Sequence, residues 1–387
     1  MAAEISESVQ ETPLIEGYPF RPTTTDGVVD AVKGIASYMM MPFWTGHVSF
    51  QYCKMPFLPG QYGQETNKVY EYAKQVFIVF FAVQAMIVSL PFALLSFAVT
   101  GLARIFESEN YRYFSGNAVE VTPEKPKFFH LNFCAFYGGL PYFLGGVTPA
   151  SERINGLVQA IDTVNPDLLF LCECNRMLTS PLYYHLKEKY SHFFADIGLN
   201  AWGMENSLFV ASRMPILSAP RYIPFNSKVE GDQKFIRRGF FAMETEDKWY
   251  IYTHLHSKDG DQDRKIRQEQ LDHIQAFIDE NTGDKPCVLL GDLNINRLEK
   301  PNTDYQKMID RGYKDGFPMQ HPEAFTGSDQ INNLSKGIQE EAPPEVIDYI
   351  LINDKGKNIS LQIDLFETYH ERLDLSLSDH KGLIGVG

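Results

Sequence analysis

In the last two thirds of the chain, six apolar segments end in, or run into, a side chain that could take part in chemistry. In chain order these positions are His130-Leu131-Asn132, Glu173, His254-Leu255-His256, Asp292-Leu293-Asn294, Asp348 and Ser378-Asp379-His380. Carboxylate and amide oxygens are the ligands that Mg²⁺ prefers in proteins. Histidines and further carboxylates beside them could transfer protons and stabilise negative charge on a phosphoryl group.

Each of these signals is weak when it is taken alone. An aspartate after a strand usually forms a turn, Gly-Asp occurs in many loops, and an isolated histidine is usually a hydrogen-bonded structural residue. Six such positions in one chain, each beside an apolar segment, favour a shared site over six unrelated turns.

Short apolar strands alternate with helical patterns from Lys127 onward, which is typical of an α/β domain. The predicted strands are 128–133, 168–172, 207–211, 249–254, 287–290, 346–352 and 382–386, and the predicted helices are 151–164 and 263–278. The polar positions therefore fall at or near the ends of predicted strands, where a sheet could bring them together.

The chain divides into four predicted parts. They are a flexible N-terminus at 1–30, a hydrophobic membrane-associated region at 31–105, a linker at 106–125 and a catalytic domain at 126–387. Within the last part, two connections at 220–237 and 317–345 carry proline, glycine and polar residues. Connections of this length in a compact domain usually shape a site or are mobile.

A long uncharged run from Gln75 to Ala103 indicates contact with a membrane. The run exceeds the roughly 20 residues that cross a bilayer, and it contains Pro91. It could form a membrane span, a re-entrant loop centred on Pro91, or a buried hairpin of two helices broken at Pro91; the composition favours membrane insertion. A second uncharged stretch at 34–53 is predicted to lie at the interface. Neither flank of the main run has a clear excess of lysine and arginine, so the sequence does not predict its orientation in the membrane.

Composition and charge narrow the class of protein. Apolar residues make up 44% of the chain and charged residues 22%, as in a folded protein. The net charge is −14, and the part after residue 125 is also acidic, which disfavours tight binding to nucleic acid. The five cysteines are odd in number and show no disulfide or zinc spacing beyond Cys172-x-Cys174. We therefore expect reduced, buried thiols and a reducing, cytosolic compartment for the catalytic part. No feature identifies a protein partner.

The chain resembles the endonuclease/exonuclease/phosphatase superfamily over about residues 127–387. The resemblance rests on an ordered set of motifs: Leu-Asn132, Glu173, Ser-Arg213-x-Pro215, Thr-His254, Gly-Asp292-x-Asn294, Ile-Asp348-Tyr and Ser-Asp379-His380. It implies a DNase I-like, four-layer α/β sandwich of two packed mixed β-sheets flanked by helices, with the site at one end. A helical hydrophobic membrane region would precede this sandwich.

The resemblance also implies a role for each motif residue. Glu173 looks like the principal Mg²⁺ ligand, with Asn132 beside it and Asp379 near the metal; Mn²⁺ could substitute. His380 resembles the general base that activates water. Asp348 resembles the carboxylate that orients the His380 ring, although a purely structural hydrogen bond at the strand end is the competing interpretation.

The remaining motif residues have supporting roles in this comparison. Asp292 would position the nucleophile, and Asn294 and His254 would stabilise the phosphoryl oxygens in the transition state. His256 would either support the site from behind or face the substrate. Arg213 would pack and fix a loop.

The segment around His254 separates the branches of the superfamily. The pattern of the apurinic endonuclease branch has tyrosine at this position, so the resemblance disfavours that branch. The string Thr-His254-Leu-His256-Ser, the polar helix that follows it and the hydrophobic N-terminal region look most like the membrane-bound neutral sphingomyelinases. This implies hydrolysis of sphingomyelin to ceramide and phosphocholine, with a membrane phospholipid and the bilayer as partners.

Some features leave other functions open. The chain has no long insertion before the His254 strand, and loop 220–237 does not align. Asp232, Lys234, Arg237 and Arg238 could form a charged gating element or a solvated loop, and the basic residues would also suit a phosphoinositide. The alternatives are a phosphoinositide or inositol-phosphate phosphatase, a nuclease, and an inactive scaffold that binds lipid. Retention of Glu173 and His380 argues against the inactive scaffold.

Overall fold

The structure is a computed structural model that describes most of the chain from residue 110 onward. The gaps are 136–138, 140–146, 175–177, 199–206, 228, 230–237, 259, 300–302, 318–323, 328–333, 335–343 and 372–374. Before residue 110 it describes a helix at Lys68–Arg104 and a few isolated positions. The predictions for 1–30 and 34–53 fall largely outside the described residues, and those for Asp232, Lys234 and Arg237 fall wholly outside.

The apolar run lies in one continuous helix, α1 (Lys68–Arg104), which continues past Pro91. A buried hairpin or a loop centred on Pro91 is therefore not what forms. Its segment Val79–Ala103 has a mean hydropathy of 2.1, and in the described part of the chain it is the one helix long and apolar enough to cross a membrane. Large side chains such as Phe77, Val88 and Leu94 are more than half exposed. A core helix of a soluble protein would bury them.

Among the described residues after α1 there are fifteen strands and four further helices. The strands are β1 (Arg112–Ser115), β2 (Lys127–Asn132), β3 (Leu168–Cys172), β4 (His192–Ile197), β5 (Leu208–Ser212), β6 (Arg221–Pro224), β7 (Gly239–Glu244), β8 (Trp249–His254), β9 (Cys287–Asp292), β10 (Lys314–Asp315), β11 (Asp348–Asn353), β12 (Gln362–Phe366), β13 (Tyr369–His370), β14 (Leu375–Ser376) and β15 (Gly382–Val386). The helices are α2 (Ala150–Val164), α3 (Thr179–Leu186), α4 (Asp261–Asn281) and α5 (Thr303–Asp310).

The strands form two large mixed sheets. The first has the order β1-β4-β5-β3-β2-β15-β12, the second has the order β10-β11-β9-β8-β7-β6, and β13 pairs with β14 separately. Only the pairs β2–β3 and β8–β9 are parallel among the described strands. The inner faces pack with β2 and β3 against β8 and β9. The predicted architecture of two packed mixed sheets flanked by helices is confirmed.

Alternation along the strands explains the layering. In β3, Leu168 and Phe170 point into the core between the sheets, whereas Leu169 and Leu171 pack under α2 and α3. Leu271 and Phe277 of α4 join the core on the side of the second sheet. Both faces of the central strands are therefore buried, and such strands read as continuous apolar runs.

Two predictions about connections were wrong in part. Residues 106–125 were expected to form a linker, but β1 lies inside this segment and pairs with β4 at the edge of the first sheet. The aromatic ring of Tyr113 holds it there by packing on Phe194. The connection 220–237 likewise contains β6, which pairs with β7.

Strand direction brings the polar positions to one end of the sandwich. Asn132, Glu173, His254 and Asp292 stand at the carboxyl ends of the two parallel pairs. Strands β11 and β15 run antiparallel to β9 and β2, so their amino ends, with Asp348 and the Asp379-His380 pair, reach the same end. We refer to this end as the site end.

Candidate active site

Asp292 lies at the centre of the polar cluster and is buried. Its Oδ1 accepts the backbone N–H of Asn294 at 3.0 Å, and its Oδ2 accepts the side-chain amide of Asn132 at 3.0 Å. The Nε2 atoms of His254 and His380 lie 3.5 and 4.0 Å from the same Oδ2. One carboxylate oxygen is thus shared by an amide and two imidazoles.

Asp348 is held between two imidazoles. Its Oδ2 is 2.7 Å from His380 Nδ1, and its Oδ1 is 3.0 Å from His130 Nε2. Burial favours a raised pKa for Asp348, but His380 and the hydrogen bonds of both histidines outweigh it and lower the pKa. Because Asp348 is ionised and can only accept, both histidines donate to it. This leaves Nε2 of His380 as the nitrogen that faces Asp292.

The charge on His380 responds to its surroundings. Burial alone would lower its pKa, but Asp348, Asp379 and Asp292 together raise the pKa well above the usual histidine value. A bound cation that offsets some of this negative charge would bring the pKa back toward neutrality. His380 could then accept a proton.

A buried arginine accompanies His254. Arg238 is 8% exposed, and its Nη1 donates a hydrogen bond to the backbone carbonyl of His254 at 3.1 Å. Burial, followed by the charge of Arg238, lowers the pKa of His254 well below its usual value. The imidazole of His254 is therefore neutral, and it can donate a hydrogen bond to an anion. The sequence favoured a solvated loop for Arg238; the structure instead places this residue inside the site.

The carboxylates of Glu173 and Asp379 fit a divalent cation. Burial raises the pKa of Glu173 to about 7, with the charge of Asp379 as the second cause. The Glu173 carboxylate accepts from Asn132 Nδ2 at 3.2 Å, so an amide already fixes its position. Half-buried carboxylates that repel each other, with hard oxygen atoms, suit Mg²⁺. The sequence predicts that Glu173 and Asp379 hold the ion, and this role stays a prediction.

A second grouping of potential ligands is less suitable. Asp292, Asp348 and His380 also place one ligand atom each within 4.8 Å of one another. However, both oxygens of Asp348 and Nδ1 of His380 are already hydrogen-bonded within the cluster. We therefore favour Glu173 and Asp379 as the cation site and the Asp348–His380 pair as the proton-transfer group.

The two predicted amide residues are both engaged. Asn132 Oδ1 accepts the backbone N–H of Cys134 at 3.0 Å, while its Nδ2 bridges Glu173 and Asp292. In this arrangement Asn132 holds two carboxylates together, and its role as a metal ligand stays a prediction. Asn294 Nδ2 donates to the carbonyl of Leu255 at 3.1 Å, which leaves its second amide hydrogen for a substrate oxygen.

Backbone conformation at the strand ends is strained. Cys134, Glu173 and Asn294 have φ angles of 49°, 49° and 50°. A residue with a Cβ atom pays about 1–2 kcal/mol for this left-handed region. Gly291 has φ 139°, and a Cβ there would lie 1.8 Å from the carbonyl oxygen of Thr253. Only glycine therefore allows β9 to approach β8 closely before Asp292.

The long connection 317–345 contributes to the site through Thr326. Its Oγ1 accepts hydrogen bonds from the backbone N–H groups of Ile347 and Asp348, each at 3.1 Å. Its backbone carbonyl accepts a hydrogen bond from the backbone N–H of Lys381 at 2.7 Å. Thr326 thus ties the start of β11 to the start of β15. This position fixes Asp348 relative to His380.

Arg153, which the sequence did not single out, braces the loops that carry the ligands. It is fully buried on α2 and donates to the carbonyls of Thr148, Phe133 and Cys134 at 3.2, 2.9 and 2.7 Å, and also to that of Leu377. Its guanidinium lies 4.8 Å from the Phe133 ring centroid. The guanidinium of Arg153 therefore connects the loop after Asn132 to the loop before Asp379.

We expect Arg153→Leu to lower the free energy of unfolding by about 3 kcal/mol or more, because buried carbonyls lose their donor. The Mg²⁺ concentration for half-maximal turnover should also rise. Chemical denaturation and metal titration would measure the two effects. Arg221→Leu is the matched control: Arg221 is exposed and lies 4.7 Å from the Phe277 centroid, so its loss should cost less than about 1 kcal/mol. Unchanged metal dependence in Arg153→Leu would contradict the bracing role.

Cation binding should depend on pH. Burial raises the pKa of Glu173 to about 7 and that of Asp292 to about 6, above the ordinary values of 4.5 and 3.8. At these two carboxyl groups the cation-free folded state therefore binds more protons than the unfolded state, and their contribution to stability falls as pH rises through about 7. A cation must displace the Glu173 proton at low pH. We expect Mg²⁺ to raise Tm more at pH 8 than at pH 5.5.

Scanning calorimetry with Mg²⁺ or with chelator would test this. Glu173→Gln is the control, since an amide does not titrate and the pH dependence of the shift should shrink. Equal Mg²⁺-induced shifts at both pH values in the unmodified protein would show that Glu173 does not hold the ion.

The other two predicted residues lie apart from the central cluster. His256 is buried, and its Nε2 lies 2.6 Å from the carboxylate of Asp263 at the start of α4. Its backbone N–H donates a hydrogen bond to the side-chain oxygen of Gln270. This arrangement matches a supporting role behind His254. Arg213 donates to the carbonyl of Lys189 at 2.8 Å and to Asn165 at 2.7 Å, so it fixes loops at the opposite end of the sandwich.

Comparison with protein families agrees with this geometry. The model of the Endonuclease/Exonuclease/phosphatase family matches residues 142–380, more than half of the chain. The chain belongs to this family. Its members hydrolyse phosphoester bonds and typically depend on a divalent metal. The matched range contains Glu173, His254, Asp292 and Asp348, and it ends at His380. The search of curated proteins returned no match.

Solved structures with a similar fold include three of interest. SmcL has 23% identity and a TM-score of 0.56, and the alignment covers 68% of this chain and 99% of SmcL. Beta toxin from Staphylococcus aureus has 19% identity and a TM-score of 0.54, with 67% and 99% covered. TDP2 from D. rerio, complexed with a single-strand DNA product, has 16% identity and a TM-score of 0.53, with 68% and 99% covered. These likenesses establish a shared fold.

Proposed function

We propose that this phosphoesterase hydrolyses a membrane phospholipid, with sphingomyelin as the first candidate substrate and ceramide and phosphocholine as products. The observation that carries the proposal is the apolar helix α1, which ends only a few residues before the catalytic sandwich begins. A tether of this kind raises the concentration of the enzyme at a bilayer, where a lipid phosphodiester lies.

The net charge and the similar folds support the same substrate class. A chain with a net charge of −14 meets less repulsion from a zwitterionic choline head group than from DNA. SmcL and beta toxin, whose fold the chain shares, are sphingomyelinases. The likeness to a DNA-processing enzyme is of similar strength, so fold alone does not select the substrate.

The geometry suits hydrolysis by an activated water molecule. Nε2 of His380 and Oδ2 of Asp292 are 4.0 Å apart, so one water molecule can hydrogen-bond to both. His380 would take a proton from this water as its oxygen bonds to phosphorus, while Asp348 stabilises the imidazolium. The bond between phosphorus and the ceramide oxygen breaks, that oxygen takes up a proton from solvent water, and His380 then releases its own proton to solvent.

Several donors are placed to meet the developing charge. His254, which is neutral, and the second amide hydrogen of Asn294 can donate to phosphoryl oxygens, and Arg238 adds a positive charge behind them. A divalent cation held by Glu173 and Asp379 would polarise the phosphate and offset negative charge around His380.

A product assay with the full-length protein tests the proposal. The protein is incubated with Mg²⁺ and with mixed micelles of sphingomyelin, with phosphoinositides, or with single-stranded and duplex DNA. We expect ceramide and phosphocholine from sphingomyelin, no products in chelator, and none from His380→Ala. Free phosphate from phosphoinositides without ceramide would replace the sphingomyelinase proposal by a phosphatase. Cleaved DNA without ceramide would replace it by a nuclease.

A further inference from the structure

The position at which the chain enters the sandwich is fixed by several contacts. The carbonyl of Asn110 accepts the backbone N–H of Gly198 at 2.9 Å, and the hydroxyl of Tyr111 donates to the carbonyl of Pro220 at 3.0 Å. The Tyr111 ring is buried against Phe194 and Phe241, with centroid distances of 5.7 and 5.5 Å. The chain is therefore anchored to the domain from Asn110 onward.

The strand register shows that this anchor lies at the site end. Tyr113, Phe194, Val210 and Phe170 form one row across the first sheet. Strands β1 and β3 run in opposite directions, so Asn110 lies three residues above this row, just as Glu173 does on the other strand. Three strand spacings separate the two, which is about 14 Å.

The connection between helix and anchor is short. Helix α1 ends at Arg104, six residues before Asn110. Six residues span at most about 20 Å, whatever conformation they adopt. The end of the apolar helix therefore lies within about 20 Å of Asn110 at the site end of the sandwich.

The opposite end of the sandwich is a full strand length further away. The backbone N–H of Gly387 donates to the carbonyl of Pro126, next to the start of β2, so the chain finishes at the end remote from the site. Strands of five or six residues separate the two ends by about 20 Å. Because the tether starts at the site end, the remote end could face the membrane only if the tether were almost fully extended, whereas the site end can face it with the tether in any conformation.

We infer that the short tether holds the site end of the sandwich against the bilayer that α1 crosses, so that substrate lipids come from that same membrane. This rests on the proposed function in that a membrane phospholipid is the substrate. The orientation itself follows from the strand register and the tether length. The partner surface is the head-group layer of the leaflet next to Arg104.

Two exposed positions report this orientation without any use of activity. Leu298 is 42% exposed and follows β9 at the site end, where the backbone N–H of Arg297 bonds to the carbonyl of Val346. Val119 is 82% exposed at the remote end, near Val121, whose N–H bonds to the carbonyl of Arg213. Of the residues described, all the cysteines are buried, which favours selective labelling of Leu298→Cys or Val119→Cys.

The full-length protein would be reconstituted into phosphatidylcholine vesicles that contain a head-group quencher lipid. We expect a fluorophore at position 298 to be quenched at least about threefold more than one at position 119. A rigid helical spacer of about 30 residues inserted after Arg104 would lift the domain by about 45 Å and should remove the difference. A Gly/Ser spacer of equal length should reduce the difference less. Equal quenching at both positions, or stronger quenching at 119, would overturn the inference.

Hydrolysis provides the second readout. The unmodified protein should hydrolyse sphingomyelin in its own vesicles at least about tenfold faster than in acceptor vesicles, and the rigid spacer should reduce the rate in its own vesicles. Both spacer variants should keep the rate of the unmodified protein in detergent micelles. Equal rates in own and acceptor vesicles contradict the inference, whereas absence of ceramide even in micelles contradicts only the proposed substrate.

Discussion

Replacing Glu173 with alanine is expected to reduce turnover by more than about 10³-fold, the upper range for removal of one charge-stabilising group. Glu173 lies at the end of β3, its carboxylate is held by Asn132 Nδ2 at 3.2 Å, and its charge is close to that of Asp379. Without this carboxylate, the cation would lose its principal oxygen ligand in the site.

The same substitution should have little effect on the stability of the cation-free protein. Burial and the nearby charge of Asp379 raise the pKa of Glu173 to about 7, so the ionised carboxylate is unfavourable in the absence of a cation. We therefore expect the Tm in chelator to stay within a few degrees of that of the unmodified protein. Loss of activity with retained Tm distinguishes loss of a ligand from misfolding.

Turnover with saturating Mg²⁺ and Tm in chelator are the two measurements. Glu173→Gln is a matched control of similar shape, and it should be as inactive as the alanine variant because it lacks the charge. Near-normal turnover of either variant, or full activity of the unmodified protein in chelator, would refute the assignment of the cation site.

Seven of the nine interior strands in the two described sheets could be predicted because their apolar runs are buried, whereas β4 and β7, which are also buried, were missed. Strands β3, β8 and β15 were predicted with the observed bounds, and β2, β5, β9 and β11 within two residues at each end. Their apolar runs are local signals, and the polar residues at the carboxyl ends of β2, β3, β8 and β9 and at the amino ends of β11 and β15 mark the site end. The directions of the strands, which decide that these residues meet, are set by pairing between distant segments.

Edge strands could not be predicted in the same way. Strand β1 has four residues, Arg-Tyr-Phe-Ser, and none is fully buried, so its sequence resembles a linker. It is stabilised by pairing with β4 and by aromatic contacts to Phe194, neither of which is visible locally. Strand β12 lies at the other edge of the first sheet and was missed for the same reason.

The supporting residues of the site depend on contacts across the fold. Arg153 is the one arginine in the predicted helix 151–164, and only the structure shows that it reaches carbonyls as distant in sequence as Leu377. His130 contacts Asp348 across 218 positions of sequence. A burial signal existed for His130, since it lies within an otherwise apolar strand, and a polar residue buried there requires a partner.

Replacing His380 with alanine is expected to reduce turnover on the order of 10²–10⁴-fold, the usual cost of losing a positioned general base. Nε2 of His380 faces Asp292 Oδ2 at 4.0 Å, and Nδ1 is fixed by Asp348 at 2.7 Å. Asp348→Asn should have a smaller effect, because the imidazole remains but loses the carboxylate that orients it. Steady-state kinetics at saturating Mg²⁺ would measure both.

The double variant tests whether these two residues act as one unit. If Asp348 acts through His380, then His380→Ala combined with Asp348→Asn should be no slower than His380→Ala alone. His192→Ala is the matched control, since His192 also pairs with a carboxylate, Glu120 at 2.7 Å, but at the remote end of the sandwich. Its turnover should stay near normal. Strictly multiplicative losses in the double variant would mean that Asp348 contributes independently of His380, and near-normal turnover of His380→Ala would remove the general base from the mechanism.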